Sequence, residues 1–208
     1  MNDSAAVSTP AKGKGRLKRE ATEADLIDAF GRVVQRGGLR NVGVNEVIKE
    51  AGIGKALLYR YFGGLPGLVK AWGEKNQIWP DLSEFHNLPD TGDAADLLKR
   101  MVMHHAESLR EDPLRVEILA EQFMSPTPIS ESLQEIRQQL GTEHQIIFRS
   151  NAHIQKYRQL MMFLMSAASF LAMRAVKAPW YMGENIASEK GWKLMMDQLE
   201  QIVDAVVD

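Results

Sequence analysis

Two short apolar-periodic segments separated by a Gly-Ile-Gly turn most constrain how this chain can fold. The first segment places its apolar residues at the i, i+3, i+4, i+7 spacing of one helical face: Val44, Val47, Ile48 and Ala51. Gly52 ends this helix, and a second short helix is predicted over residues 55–61. Two short helices joined by a tight turn form a helix-turn-helix, whose second helix can lie in the major groove of DNA.

A longer helix is predicted before this pair and another after it. The first covers residues 22–36, where Thr22 and Asp25 resemble a capping box. Its buried face is marked by spacings of four and three between Leu26, Phe30 and Val33. The helix after the pair is predicted over residues 65–79, before Pro80. Pro66 is compatible with this helix because it falls in the first turn, where proline is tolerated.

The chain is predicted to contain three regions. Residues 1–20 are polar and hold five Lys or Arg, which predicts a disordered basic arm. This arm would either contact DNA phosphates and the minor groove or simply aid solubility. Residues 21–66 form a three-helix helix-turn-helix head, and residues 67–208 form a C-terminal helical body. No alternating strand pattern is visible, so the predicted fold class is all-α, with a helical bundle behind the head.

Charge and composition narrow the possible functions. Residues 1–62 hold 11 Lys or Arg against 7 Asp or Glu, whereas the rest holds 14 against 20. A basic front and an acidic back suit a DNA-binding head on a body that does not contact DNA. The absence of cysteine excludes disulfides, thiolate metal sites and cysteine nucleophiles. The start of the chain has no signal-peptide pattern, so a cytoplasmic protein is expected.

The two C-terminal segments predict a homodimer. Within residues 160–176 the polar positions are few: Ser166, Ser169 and Arg174. That stretch is too short and interrupted to span a membrane, so no membrane association is expected, and a helix apolar all round needs cover on most sides. The last helix carries a 3,4-spaced seam: Trp192, Met195, Leu199, Ile202 and Val206. Two such helices from each of two chains predict a four-helix, two-fold interface; the alternative is an internal core only.

Residues 22–69 resemble the DNA-binding domain of the TetR family of transcriptional regulators. The matching residues run through all four predicted helices: Ala29-Phe30, Gly38, Val44, Val47, Ala51-Gly52-Ile53, Leu58-Tyr59-Arg60-Tyr61-Phe62 and Leu68-Val69. The motif covers about a quarter of the chain. The resemblance implies a sequence-specific DNA-binding homodimer that regulates transcription, in most cases a repressor, on double-stranded DNA with a near-palindromic operator.

The same resemblance assigns DNA contacts to individual positions. The residues concerned are Asn45, Lys55, Ala56, Leu57, Tyr59, Arg60 and Tyr61. Lys55 would donate to guanine, and Ala56 or Leu57 would contact a thymine methyl group. Tyr59 and Tyr61 fall at positions that hydrogen-bond phosphate. Apart from these, Leu58 and Phe62 are expected in the core.

Three positions depart from the family pattern. Gly43 and Gly54 replace the Ser or Thr that usually begins helices 2 and 3, which costs only a few tenths of a kcal/mol each. Gly64-Leu65 replaces a Ser-Lys pair, and this removes a phosphate contact. Our hypothesis is that the basic arm compensates for the missing lysine.

The resemblance also implies a small-molecule effector bound among the helices of the body. Methionines are frequent there, and their flexible side chains suit a mainly apolar pocket for a hydrophobic or aromatic compound. The candidate wall residues are Met101, His105, Phe123, Met161 and Met165. The spacing of His104, His105 and Glu107 is not that of a zinc motif, and no nucleophile, phosphate-loop or dinucleotide motif appears. We therefore expect no metal, no cofactor and no enzymatic activity.

Two alternatives stay open at this point. The chain is either a regulator or a helical small-molecule-binding protein or enzyme whose head has lost DNA binding. If it is a regulator, the sequence does not separate a repressor from an activator, or a metabolite effector from a protein partner.

Overall fold

A computed structural model describes residues 13–79, 81–85, 93–124 and 127–207, apart from the side chains of Lys14, Glu84, Phe123 and Met124. Within them the structure contains ten α-helices and one small β-hairpin, which confirms the all-α fold class. The chain divides into two compact units, Met1–Trp72 and Gly73–Asp208. The predicted boundary between residues 66 and 67 therefore falls inside a helix that crosses from one unit to the other.

The N-terminal unit is built from three helices and most of a fourth. They are α1 (Lys14–Gly37), α2 (Val44–Ala51), α3 (Lys55–Phe62) and α4 (Leu65–Lys75), with a 3-10 turn at Leu39–Asn41. The side chains at the centre of its core are fully buried: Leu26, Phe30, Val47, Leu58 and Leu68. The helix-turn-helix is therefore present as predicted. Leu58 is buried as expected, whereas Phe62 is only half-buried.

Helix α1 begins at Lys14, eight residues before the predicted start. Thr22 is not a cap but an interior residue, and its Oγ1 donates to the Lys18 carbonyl at 2.9 Å. Side-chain pairs one turn apart, Arg16–Glu20 and Arg19–Glu23, stabilise the added turns. Residues 14–20 are thus helical, not a disordered arm, while residues 1–12 lie outside the described part of the chain. An exposed helix needs no apolar stripe, so periodicity missed its start.

Helix α4 ends at Lys75, four residues before the predicted end. The chain turns at Gln77, whose φ is +45°. Arg115 holds this turn from the same unit, because its guanidinium donates to the carbonyls of Ile78 at 2.6 Å, Ser108 at 2.9 Å and Gln77 at 3.3 Å. A residue with positive φ cannot continue a right-handed helix, which explains the earlier end.

The C-terminal unit is a bundle of helices. They are α5 (Ala94–Glu111), α6 (Pro113–Met124), α7 (Pro128–Ser150), α8 (Ala152–Gln155), α9 (Arg158–Lys177) and α10 (Glu189–Val206). Helix α5 packs against α9, α6 and α10, and α6 packs against α7 and α9. Side-chain oxygens cap several of these helices, including Asp93 on α5, Thr127 on α7, Asn151 on α8 and Ser188 on α10.

A two-stranded hairpin joins α9 to α10, and the sequence did not predict it. Strands β1 (Trp180–Tyr181) and β2 (Glu184–Asn185) pair antiparallel. The turn uses Met182 and Gly183 with φ of +49° and +90°. A two-residue turn with both φ positive matches the twist of a hairpin, but it is usually signalled by Asn-Gly, and Met-Gly does not carry that signal.

The predicted seam on α10 is split between two faces. Trp192 and Leu199 are buried together with Met196 and Val203, while Ile202 is 44% exposed and Val206 is 53% exposed. The apolar stripe of α10 is wide, and only part of it is covered within the chain, so the residues at 3,4 spacing do not form one buried face. Helix α9 also leaves large apolar side chains uncovered in the isolated chain: Met162, Phe163, Phe170 and Val176.

Candidate nucleic-acid interface and effector cavity

Helix α3 turns a polar and aromatic face outward. Lys55, Ala56, Tyr59 and Arg60 are exposed, whereas Leu58 on the opposite side is fully buried. The Lys55 ammonium lies 5.8 Å from the centre of the Tyr59 ring, a cation–π distance. Two of the predicted contact residues on α3, Leu57 and Tyr61, are half-buried, and Asn45 is exposed on α2.

An ion-pair fork holds α2 on α1. The two carboxylate oxygens of Glu50 accept from Arg32 Nε at 2.7 Å and from a terminal nitrogen of Arg36 at 2.8 Å. These hydrogen bonds, first from Arg32 and then from Arg36, lower the pKa of Glu50 below its usual value. The fork constrains α2, and through the three-residue turn it helps orient α3.

The backbone conformation at Gly64 explains one departure from the family pattern. Gly64 has a φ of +137°, a conformation that residues with a Cβ rarely adopt, so the usual serine does not fit there. A Cβ added to Gly67 would lie 1.9 Å from the Phe62 carbonyl oxygen. The start of α4 therefore passes close to the end of α3, which further defines the position of the exposed helix.

One basic residue of α1, Arg19, lies beside α3, and sequence reasoning did not place it there. The Arg19 guanidinium is 5.3 Å from the centre of the Tyr61 ring. Arg16, Lys18 and Arg19 are all exposed. The basic run itself was visible in the sequence, but only its helical conformation places part of it against α3.

A cavity of about 580 Å³ lies inside the C-terminal unit, among α5, α7, α9 and the residues that follow α4. Its apolar lining consists of aromatic, leucine and methionine side chains: Trp79, Leu82, Leu140, Phe148, Met161, Met162, Met165 and Met173. Its polar lining consists of His105, Arg137, His144, Gln145, Arg158, Ser166 and Ser169, and Gly141 completes the wall. The volume falls in the range of small-molecule sites.

The five predicted wall residues have different locations. His105, Met161 and Met165 line the cavity. Met101 is 2% exposed and is a core residue of α5 outside the described lining. The side chain of Phe123 lies outside the described part of the chain. Contact with an effector stays a prediction for all of them.

Sequence reasoning missed the cationic side of this cavity. Arg137 donates to the Gln122 side-chain oxygen at 3.1 Å, and its guanidinium lies 5.6 Å from the centre of the Trp79 ring. Burial lowers the pKa of Arg137. Arg137 and His144 are seven residues apart on α7, so they share one helical face, which is the signal that was available.

His105 is a neutral hydrogen-bonding group in this cavity. Its Nε2 lies 2.9 Å from Ser169 Oγ. Burial, and then the charges of Arg137, His144 and His104, lower the pKa of His105 to about 4. The imidazole is therefore uncharged at neutral pH. Among the described residues, no group of three or more His, Asp or Glu side chains is arranged to hold a metal ion.

Comparison with known proteins identifies the head. Residues 26–71 match the family model for bacterial regulatory proteins of the tetR family. The N-terminal unit is a tetR-family domain. A DNA-binding transcriptional regulator is the general function that follows for the chain. The added turns of α1 lie outside the part that matches the tetR-family model.

Among solved structures, the chain is similar to a TetR-family transcriptional regulator from Haemophilus influenzae. The two share 17% identity over 89% of this chain and 98% of that chain, with a TM-score of 0.49. No curated protein matches the chain significantly.

Helix α9, in the C-terminal unit, is long and apolar enough to cross a membrane, judged by length and composition alone. Its mean hydropathy is 1.5, and 28% of the window is buried. One such helix is weak evidence for a membrane span, because core and interface helices of other proteins share this composition.

Proposed function

We propose that this chain is a homodimeric transcriptional repressor that binds a near-palindromic operator and is released by a small effector. The observation that carries the DNA-binding part is the outward face of α3 within a tetR-family head. Lys55, Ala56, Tyr59 and Arg60 are all exposed on it. A helix with its apolar side buried and this face outward suits insertion into a major groove.

Each side chain on this face has a proposed role. Lys55 reads a guanine edge, and Ala56 or Leu57 contacts a thymine methyl group. Tyr59 and Tyr61 hydrogen-bond phosphates, and Arg60 reaches a base or a phosphate. The exposed Asn45 of α2 also reaches the DNA. All of these contacts rest on the resemblance, and those of Asn45, Lys55, Ala56, Tyr59 and Arg60 rest also on the exposure of these residues.

The basic turns of α1 add phosphate contacts to this surface. Arg16, Lys18 and Arg19 are exposed on the described part of the extension, and Arg19 stacks on Tyr61 of α3. Together they replace the lysine that the family usually carries where this chain has Leu65. Nucleic-acid affinity from such contacts depends on salt, because each neutralised phosphate releases counterions.

The proposed dimer uses the uncovered apolar faces of α9 and α10. Phe163 and Phe170 are two turns apart on α9 and are 77% and 45% exposed. Ile202 and Val206, one turn apart on α10, are also exposed. Large apolar side chains left in water mark an interaction surface. A two-fold dimer would place two recognition helices about 34–36 Å apart, one helical turn of DNA.

The effector would act by shifting a conformational equilibrium. Helix α4 contains residues of both units and is continued by the turn that leads to Trp79 in the cavity wall. An effector that binds the DNA-free conformation more tightly than the DNA-bound one would favour release. We propose that α4 carries this change and that the cavity accepts a largely hydrophobic or aromatic compound.

The test of DNA binding starts by selecting bound sequences from random duplex DNA with the full chain. Fluorescence anisotropy then compares the wild type with the double variant Lys55→Ala/Tyr59→Ala. We expect affinity for the selected operator to fall at least about tenfold, as loss of base and phosphate contacts predicts. Lys190→Ala, an exposed lysine of α10, is the control and should bind normally. Unchanged affinity of the double variant would show that α3 is not the recognition helix.

A further inference from the structure

We propose that the cavity in the C-terminal unit selects an effector with a carboxylate, or a similar single anionic group, attached to an apolar or aromatic body. This inference rests on the proposed role of the cavity as the effector site. It adds to that role the charge of the effector, which the apolar side chains of the walls do not predict.

The charged side chains around the cavity have one sign. Arg137 and Arg158 are the charged groups of the described lining, and none of the described lining residues is Asp or Glu. An uncompensated cation in a partly enclosed, low-dielectric space is unfavourable. A bound anion would compensate this charge, whereas a neutral ligand would desolvate the guanidinium without replacing its lost interactions with water.

Within the described part of the chain, the groups that hold Arg137 in place are neutral. Gln122 accepts one of its hydrogen bonds through a neutral amide oxygen, and Trp79 covers the guanidinium with its ring. Among the described residues, burial is the cause that lowers the pKa of this guanidinium. A guanidinium has five N–H donors in a planar fork, which suits a two-point contact with a carboxylate.

The other polar groups suit an anion at the same end of the ligand. His105 contacts Ser169. The charge of Arg137 is one of the causes that lower the pKa of His105, so the imidazole lies in the positive region around this guanidinium. Arg158 lines the cavity and is exposed, so it can attract an anion from solution. His144 Nδ1 pairs with the Leu140 carbonyl at 2.9 Å, which orients the ring along this wall.

The remaining walls suit an apolar body for the same ligand. Phe148, Met161, Met165 and Met173 present aromatic and thioether groups to the cavity. These side chains gain from burying apolar surface and adapt to an aromatic ring. The cavity volume of about 580 Å³ accommodates an amphipathic compound rather than a small inorganic ion alone.

The experiment compares matched acids and neutral analogues on the full chain without DNA. Isothermal titration calorimetry measures 2-naphthoate against methyl 2-naphthoate, and decanoate against methyl decanoate. We expect at least one acid to bind about tenfold or more tightly than its ester, because a charge-assisted hydrogen bond is gained. Arg137→Gln should remove most of this preference while the ester binds as before.

Three further variants make the result specific. Arg149→Gln on the same helix is exposed and outside the cavity lining, so it should keep the preference for the acid. Arg158→Gln should reduce the preference less than Arg137→Gln and weaken its dependence on salt. If circular dichroism shows that Arg137→Gln does not fold, Arg137→Lys replaces it, and loss of the two-point contact should still lower the preference.

Three outcomes would overturn the inference. They are equal binding of both acids and their esters, no binding of either acid up to millimolar concentration, and an undiminished preference in the Arg137 and Arg158 variants. Operator release is measured separately by anisotropy. An acid that binds in the Arg137-dependent way but does not release the operator supports the anion site and contradicts the proposed release mechanism, so the two failures are distinguishable.

Discussion

Arg19 of α1 lies over the ring of Tyr61 of α3, with the guanidinium 5.3 Å from the ring centre. This contact joins the basic extension of the first helix to the proposed recognition helix. Glu23, one turn along α1, accepts a 2.7 Å hydrogen bond from the same guanidinium and orients it. The extension is therefore part of the surface that α3 presents, and its cations lie on the described surface of the tetR-family head.

Neutralising this extension should weaken DNA binding without changing which sequence is bound. The triple variant Arg16→Gln/Lys18→Gln/Arg19→Gln removes three exposed cations. If each contacts one phosphate, the slope of log affinity against log salt falls by about 0.9 per lost contact. Anisotropy at several salt concentrations measures this slope. Lys190→Gln serves as the control, and an unchanged slope in the triple variant would contradict a role of α1 in DNA binding.

Adding one methyl group at the start of α4 should destabilise the head. Gly67→Ala places a Cβ 1.9 Å from the Phe62 carbonyl oxygen, so the backbone must move. We expect the free energy of unfolding to fall by about 1–3 kcal/mol, as for other overpacked sites. Gly141→Ala, on α7, is the matched control because its Cβ would meet no atom within 4 Å.

Urea unfolding followed by circular dichroism compares these two variants with the wild type. Gly141→Ala should be neutral or more stable by up to about 1 kcal/mol, since alanine favours a helix over glycine. Equal stability of Gly67→Ala and the wild type would mean that α3 and α4 do not approach as closely as described.

His105 should make the chain less stable in mild acid. Its pKa is about 4 in the folded chain, against an ordinary value of 6.5. Between these two pH values the unfolded chain binds a proton that the folded chain does not, so stability falls as the pH falls from 6.5 to 4 and this contribution is level outside that window. The full shift corresponds to roughly 3 kcal/mol.

The measurement compares the pH dependence of urea unfolding in the wild type and in His105→Gln. The variant should lose less stability across this window, because the proton uptake by the unfolded imidazole is gone. His153→Gln changes an exposed histidine and should follow the wild-type profile. A His105→Gln profile identical to the wild type would contradict the lowered pKa.

Charges on the uncovered faces of α9 and α10 should separate the proposed dimer. Phe163→Glu and Ile202→Glu each replace an exposed apolar side chain with a carboxylate, so folding of the chain should be little affected. Light scattering during size exclusion should report twice the 23.4 kDa of one chain for the wild type and the single-chain mass for the variants. Gln134→Glu, exposed on α7, is the control.

The alternative explanation of α9 predicts a different result. If the helix contacted lipid, the wild type would co-sediment with vesicles and Phe163→Glu would abolish this. A wild type with the mass of one chain at micromolar concentration, with or without vesicle binding, would contradict the dimer.

Local patterns in the sequence were sufficient for the helix-turn-helix. The i, i+3, i+4, i+7 stripe through Val47, the stop at Gly52 and the buried Leu58 all describe interactions within a few residues along the chain. The residues that make such local interactions are close together in the sequence, so their spacing is enough to predict them. The limits of α2 and α3 accordingly lie within one residue of those predicted. The extent of α1 was not recovered, because its first turns bury no apolar face.

The sequence alone determined that the chain is helical, that its head is a helix-turn-helix, and which side chains of α3 carry polar groups. Only the tertiary structure decided that Arg19 meets Tyr61, that Arg137 and His105 share a cavity, and that the apolar residues of α10 divide between two faces. Helix formation depends on neighbours in the chain, whereas these arrangements depend on how distant helices pack, and periodicity contains no information about the partner of each face.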